Sequence, residues 1–161
     1  MSTPETDVEL LARLTADEER LVLDRFDEDD AWRLGGLLVE RARAAGLPVA
    51  VAIRRNGQRL FHAALPGSVA DHDDWLRRKM NVVDQFGCSS YLAGTRRRLA
   101  GGDVDAASQL DPGTFAAHGG AFPLRVRGVG VVGAVAVSGL PQADDHALVV
   151  GALAEFLASA G

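Results

Sequence analysis

Residues 49–64 read VAVAIRRNGQRLFHAA. The flanks VAVAIRR and QRLFHAA suit extended chain, and Asn56-Gly57 between them is a strong turn signal, because both residues tolerate positive φ. The stretch is a β-hairpin, and strands joined so tightly must be antiparallel. A second hairpin is read where AFPLRV (121–126) meets VGVVGAVAVS (129–138) through Arg127-Gly128. RLVLDRF (20–26) is a further candidate strand. Helical patterns fill much of the remainder. Residues 6–18 place Val8, Leu11 and Leu14 on one side behind Thr6 as N-cap. A second helix runs from about Asp29 to Ala45, stopped by Gly46 and Pro48. Residues 71–86 and 89–100 follow, the latter capped by Ser89 or Ser90, and the last helix starts at Pro141. A loop from Gly101 to about Gly119 separates the fourth helix from the second hairpin. The order α-β-α-β-β-α-α-β-β-α predicts an α+β fold, a mainly antiparallel sheet of about five strands with helices packed on it.

A chain of 161 residues fits one domain, here 1–161, with residues 1–18 as an N-terminal helical extension. Such a domain buries roughly 70% of its unfolded surface and needs no staple. Cys88, the only cysteine, has no internal disulfide partner, and no Cys/His spacing suggests zinc. The acidic start MSTPETDVE lacks a secretory layout, and no apolar run reaches the roughly 18 residues of a membrane span. A cytoplasmic, soluble protein without membrane association is expected. Seventeen basic against 22 acidic residues give a net charge of -5, which argues against nucleic-acid binding. Arg96-Arg97-Arg98 reads as a solvated helix face.

One compositional anomaly stands out. Sixteen of the basic residues are arginine, and Lys79 is the only lysine. On a helical wheel of residues 71–86, Lys79 falls in the apolar arc with Trp75, Leu76, Met80, Val82, Val83 and Phe86. An ammonium there must pair with a carboxylate, reach water along its stem, or meet an anion at the mouth of a pocket. A lone lysine among arginines favours a task suited to a compact point charge rather than a planar fork. Asn81 falls on the polar side of the same helix, where it could face a partner subunit.

Other motifs divide into decoys and candidates. Gly128-Val-Gly130-Val-Val-Gly133 spells GxGxxG, yet a dinucleotide fingerprint must leave a strand and open a helix, and here more strand follows. These glycines read instead as sites of bulging or close backbone approach. In AAHGGAFP (116–123), paired glycines free the backbone, and His118 beside them could serve as ligand or base, or simply as a hydrogen-bonded turn residue. Asp144-Asp145-His146 and Asp71-His72-Asp73-Asp74 both begin helices, where acids complement the dipole without any metal. There is no GxSxG elbow, no assembled triad and no metal set, so the chain leans away from catalysis.

Three segments carry a resemblance. PVAVAIRRNGQRLFHAALPG, DDWLRRKMNVVDQFGCSS and AAHGGAFPLRVRGVGVVGAVAVSGLPQADDH together resemble the haem-degrading-domain family (GlcG/HbpS-like). Within it they resemble the short stand-alone branch, uncharacterised protein family 0303. The resemblance begins at about residue 48 and covers roughly two-thirds of the chain. It implies a profilin-like layered α/β domain assembled into dimers or larger homo-oligomers, with haem or another tetrapyrrole bound by some relatives. The branch motifs fall on Trp75, Lys79 and Asn81; on His118, Gly119, Gly120, Phe122 and Pro123; and on Ser138, Gly139, Asp145 and His146. Ala121 stands where the branch usually has a third glycine.

Two functions compete. In the first, a homo-oligomeric binding protein takes an anionic small molecule, haem among the candidates, in a pocket bordered by Lys79, His118, Gly119, Gly120, Trp75 and Phe122. Lys79 would meet a propionate, His118 would be the axial or hydrogen-bonding group, and no metal is bound by the protein itself. Asn81, Asp145 and His146 would support the pocket or line an interface. In the second, the same motifs build subunit interfaces of a non-catalytic scaffold or adaptor.

Overall fold

The computed structural model describes residues 3–101 and 110–159. Its elements are α1 (Asp7–Arg20), α2 (Glu28–Ala44), β1 (Ala50–Arg55), β2 (Gln58–Ala64), α3 (Ala70–Phe86), α4 (Ser90–Leu99), β3 (Ala121–Val126), β4 (Gly130–Ser138) and α5 (Gln142–Ser159). Both expected hairpins form, with Asn56 and Gly57 at φ 50° and 81° in the first turn and Gly128 at φ 77° in the second. They join in one antiparallel sheet of order β2-β1-β4-β3, four strands rather than five.

The segment read as a strand at 20–26 contributes only a bridge, Leu23 to Val126. The Leu23 N–H donates to the Arg125 carbonyl in β3, and the Leu23 carbonyl accepts from the Arg127 N–H just past it, each at 2.8 Å. The chain then leaves, because Asp27 caps α2 by accepting from the Asp30 N–H at 2.8 Å. Part of the loop expected at 101–119 lies outside the described residues.

The two central strands place different side chains on the two faces of the sheet. Val51, Ile53, Val135 and Val137 point with Phe122 and Leu124 into the main core, beneath α2 and α5. Ala50, Ala52, Ala134, Ala136 and Ala121 face the other way, onto Leu76, Met80 and Val83 of α3. Alternation along a strand makes this division automatic. An alanine surface lets α3 lie close against the sheet, so its longer side chains can reach strand carbonyls. Gly133 is needed for the same reason within the sheet, since a Cβ there would strike the Arg54 backbone carbonyl. The GxGxxG letters thus serve a turn and a strand, with no helix behind them.

α1 packs on α4 through Leu10, Leu14, Tyr91 and Leu92, apart from the main core. Its Glu18 is buried and accepts from the Ser89 N–H at the start of α4. Burial raises the Glu18 carboxyl above its ordinary pKa, opposed by that N–H and by Arg125. Among the described residues no helix is long and apolar enough to cross a membrane.

Candidate functional site

Lys79 sits where the helical wheel places it, only 3% exposed. Its Nζ donates to Asp145 Oδ2 at 3.1 Å and to the Val137 carbonyl at 3.2 Å. Asp145, 1% exposed, accepts from the Leu140 N–H at 3.0 Å through its other oxygen. The pair therefore joins α3, the end of β4 and the first turn of α5. Burial lowers the Lys79 pKa, with the Asp145 charge pulling it back. Burial likewise raises the Asp145 carboxyl, and Lys79 and the N–H groups of Leu140 and Gly139 oppose it. Of the three settings open to this ammonium, the buried carboxylate is the one realised. An ammonium has three N–H donors, and the third has no acceptor among the described residues.

The His118-Gly119-Gly120 turn is wedged against this pair. A Cβ on Gly120 would lie 2.6 Å from Lys79 Nζ and collide with the Val137 carbonyl, and its φ of 141° also excludes most side chains. A Cβ on Gly119 would strike the Gln142 carbonyl, while the Gly119 N–H donates to Gln142 Oε1 at 3.0 Å. The polar side of α3 fastens the preceding loop. Asn81 Nδ2 donates to the Thr114 carbonyl at 2.8 Å, Arg77 to the Gly113 carbonyl at 3.0 Å, and the Arg78 carbonyl accepts from the Ala116 N–H at 3.1 Å. Asn81 is thus engaged within its own chain, with Arg54 as a further donor at 3.2 Å.

Between the first turns of α3 and α5 lies a cavity of about 370 Å³, lined by Asp71, His72, Trp75, Lys79, His118, Ser138, Gly139, Leu140, Gln142 and Asp145. The volume is at the lower end of the roughly 300–1,000 Å³ typical of small-molecule sites. Trp75 forms one wall: Arg78 stacks on its ring at 4.2 Å, His118 meets it edge-on at 5.7 Å, and its Nε1–H donates to Asp71 Oδ2 at 3.2 Å. His72 accepts the Val69 N–H on Nδ1 at 3.0 Å. A ring nitrogen that accepts carries no hydrogen, so the neutral ring holds its proton on Nε2 and is a donor there.

The cavity brings together Trp75, Lys79, His118, Ser138, Gly139 and Asp145 from four separate segments. Phe122 is not among its lining residues. It alternates to the opposite face of β3 and lies in the main core. His146 is also elsewhere, buried between Tyr91 and Phe122 with ring separations of 5.2 Å and 6.0 Å, and neither ring nitrogen has a hydrogen-bond partner among the described residues. Sequence reasoning missed His72, Asp71 and Gln142. The acids and His72 were explained as helix-start residues, and nothing local marks Gln142 as the residue opposite Gly119. Among the described residues no group of three or more His, Cys, Asp or Glu side chains could hold a metal ion.

This fold and site define a layered α+β domain with a cavity at one end of its sheet. The model of the family described as "Haem degrading protein HbpS-like" matches residues 26–154. The chain belongs to that family. It is 57% identical over 157 residues to a UPF0303 protein of Streptomyces coelicolor, covering 98% of this chain and 99% of that one. A UPF0303 protein of Edwardsiella ictaluri is 48% identical, covering 92% and 95%. Among solved structures, the Ybr137w protein superposes with a TM-score of 0.86 at 29% identity, covering 94% of this chain and 90% of that one. The haem complex of PduOC shares the fold, with a TM-score of 0.69 at 19% identity, covering 80% and 93%.

Two outcomes follow from the buried groups. Removing one member of the ion pair, by Lys79→Met or Asp145→Leu, leaves an uncompensated buried charge and lowers unfolding stability by about 3–5 kcal/mol. The double variant recovers most of that loss, as read from urea midpoints. His146 has its pKa lowered to about 4 by burial, from an ordinary 6.5. Its contribution is therefore constant above pH 6.5 and turns against the folded state as pH falls towards 4, by about 3 kcal/mol in all. The stability difference between wild type and His146→Leu should move by that amount in favour of the variant between pH 7 and pH 4, and stay flat from pH 7 to 8.

Proposed function

We propose that the protein is a cytoplasmic, self-associating binding protein whose cavity takes a small molecule by an acid group. One observation supports the reading: Lys79, with two hydrogen-bond acceptors among the described residues and its Nζ 6.0 Å from the Trp75 ring centroid, lines a cavity shared with Gln142 and His72, which can also donate. The Gln142 oxygen is committed to Gly119, so its amide hydrogens are the atoms available to a guest. Donors converging on one small space favour an acceptor that carries charge, because charge-assisted hydrogen bonds are the stronger kind.

The lining favours a guest smaller than haem, the group in the family's description. Lys79 is shared with Asp145, so it has only one donor left for a propionate, and Asp71 adds a carboxylate to the wall. Arg78, the nearest guanidinium to the Trp75 ring, bonds Asp74 at 2.9 Å. A cavity of about 370 Å³ suits a compact guest better than a macrocycle.

Self-association belongs to the same proposal, though not through Asn81. Trp32 is 71% exposed on α2, edge-on to Phe61 at 5.8 Å, next to β2 at the margin of the sheet. An apolar ring beside an unpaired strand edge favours contact with a second copy.

Calorimetric titration with 4-methylpentanoate tests the pocket. Binding is expected in the wild type and about tenfold weaker in Gln142→Ala, the loss of roughly one charge-assisted hydrogen bond. Haem added to the purified protein should give no Soret shift that depends on His118; a shift abolished by His118→Ala would replace this reading with haem binding. Light scattering tests the assembly: Trp32→Glu should reduce the oligomer to smaller species, and an unchanged mass would reject this face.

A further inference from the structure

The charges around the cavity offer more than a plain anion can use. Its wall holds two carboxylates, Asp71 and Asp145, and one ammonium, Lys79. Lys79 and Asp145 neutralise one another at 3.1 Å, so of the carboxylates and the ammonium in the lining the charge of Asp71 is the one left unmatched. Asp71 is held in place by the Trp75 Nε1–H on Oδ2, and a carboxylate has acceptor capacity well beyond that single bond. No arginine or lysine forms an ion pair with Asp71 among the described residues.

The wall therefore has two chemically distinct parts. The Lys79 third N–H, the Gln142 amide and the His72 Nε2–H are donors, and they ask for an acid group. Asp71 is a fixed acceptor carrying charge, and it asks for a cationic donor. Asp71 is exposed, so a guest that satisfied only the first part would bring a second negative charge beside it that solvent moderates but no cation offsets. A guest carrying both an acid and a protonated amine satisfies both and adds no net charge.

Resting on the acid-pocket reading above, we propose that the ligand of this cavity is a small zwitterion of the amino-acid class. The acid group meets the Lys79, Gln142 and His72 donors, and the ammonium meets Asp71. The aromatic face of Trp75 between the two parts suits either an apolar side chain or the cation itself.

The test uses the full chain and matched probes. Each standard amino acid is compared by calorimetry and thermal shift with its deaminated acid and its decarboxylated amine; for leucine these are 4-methylpentanoate and 3-methylbutylamine. At least one amino acid should bind tenfold or more tighter than both of its singly charged counterparts. Asp71→Asn keeps an oxygen for the Trp75 N–H but removes the charge. It should bring the amino acid's affinity down to that of the deaminated acid, whose own binding does not weaken. Equal binding of amino acid and acid, or a preference that survives Asp71→Asn, overturns the zwitterion and leaves the acid pocket standing. No binding by any acid or amino acid overturns both.

Discussion

A lysine ammonium buried in a protein interior needs its carboxylate within hydrogen-bond reach, because the desolvation it suffers is otherwise uncompensated. In this chain that requirement ties α3 to α5 across the end of β4. Lys79 can reach Asp145 and the Val137 carbonyl only because α3 lies close to the sheet, and it lies close because the facing strand residues are alanines. The turn beneath must also leave room, which is why Gly120 packs against the ammonium with no side chain of its own. Helix spacing, strand composition and turn geometry all serve this one contact.

The two sides of α3 then have separate roles. Its apolar side seats the helix on the sheet, while Arg77, Arg78 and Asn81 on the other side fix the loop that carries His118. The cavity forms where that loop, the start of α3 and the start of α5 meet. Its polar atoms are held by backbone contacts from the protein itself: Gln142 by Gly119, His72 by Val69. Side chains fixed in this way meet a ligand without first losing rotamer freedom, which favours binding. His146 stands apart as a buried imidazole with no hydrogen-bond partner among the described residues, and its cost is an acid-sensitive core.

Much of the fold was legible in the chain. Asn56-Gly57 specifies a hairpin through local backbone preference, and the caps Thr6 and Ser89 mark helix starts that the structure realises. The candidate strand at 20–26 is the exception. Its residues suit a strand, but a cap three residues after Asp24 redirects the chain, and competition between overlapping local signals is not resolved by either alone. Of the site, Trp75, Lys79 and His118 were legible because each is locally anomalous: a lone lysine in an apolar arc, an aromatic at helical spacing from it, a histidine beside paired glycines. Phe122 comes from the family motif that includes His118, and a motif does not say which way a strand residue faces, since neighbours alternate.

By itself, the sequence determined most of the elements, the antiparallel pairing and the place of Lys79 in an apolar arc, since these follow from turn chemistry and periodicity within a few residues. Only the tertiary structure decided that Asp145, 66 positions away, is the partner of that lysine, and that Asp71, His72 and Gln142 share its cavity. The physical reason is that charge pairing and cavity shape depend on distances between elements. Those distances are set by how closely a helix can approach a sheet, a property of the assembled faces rather than of any one segment.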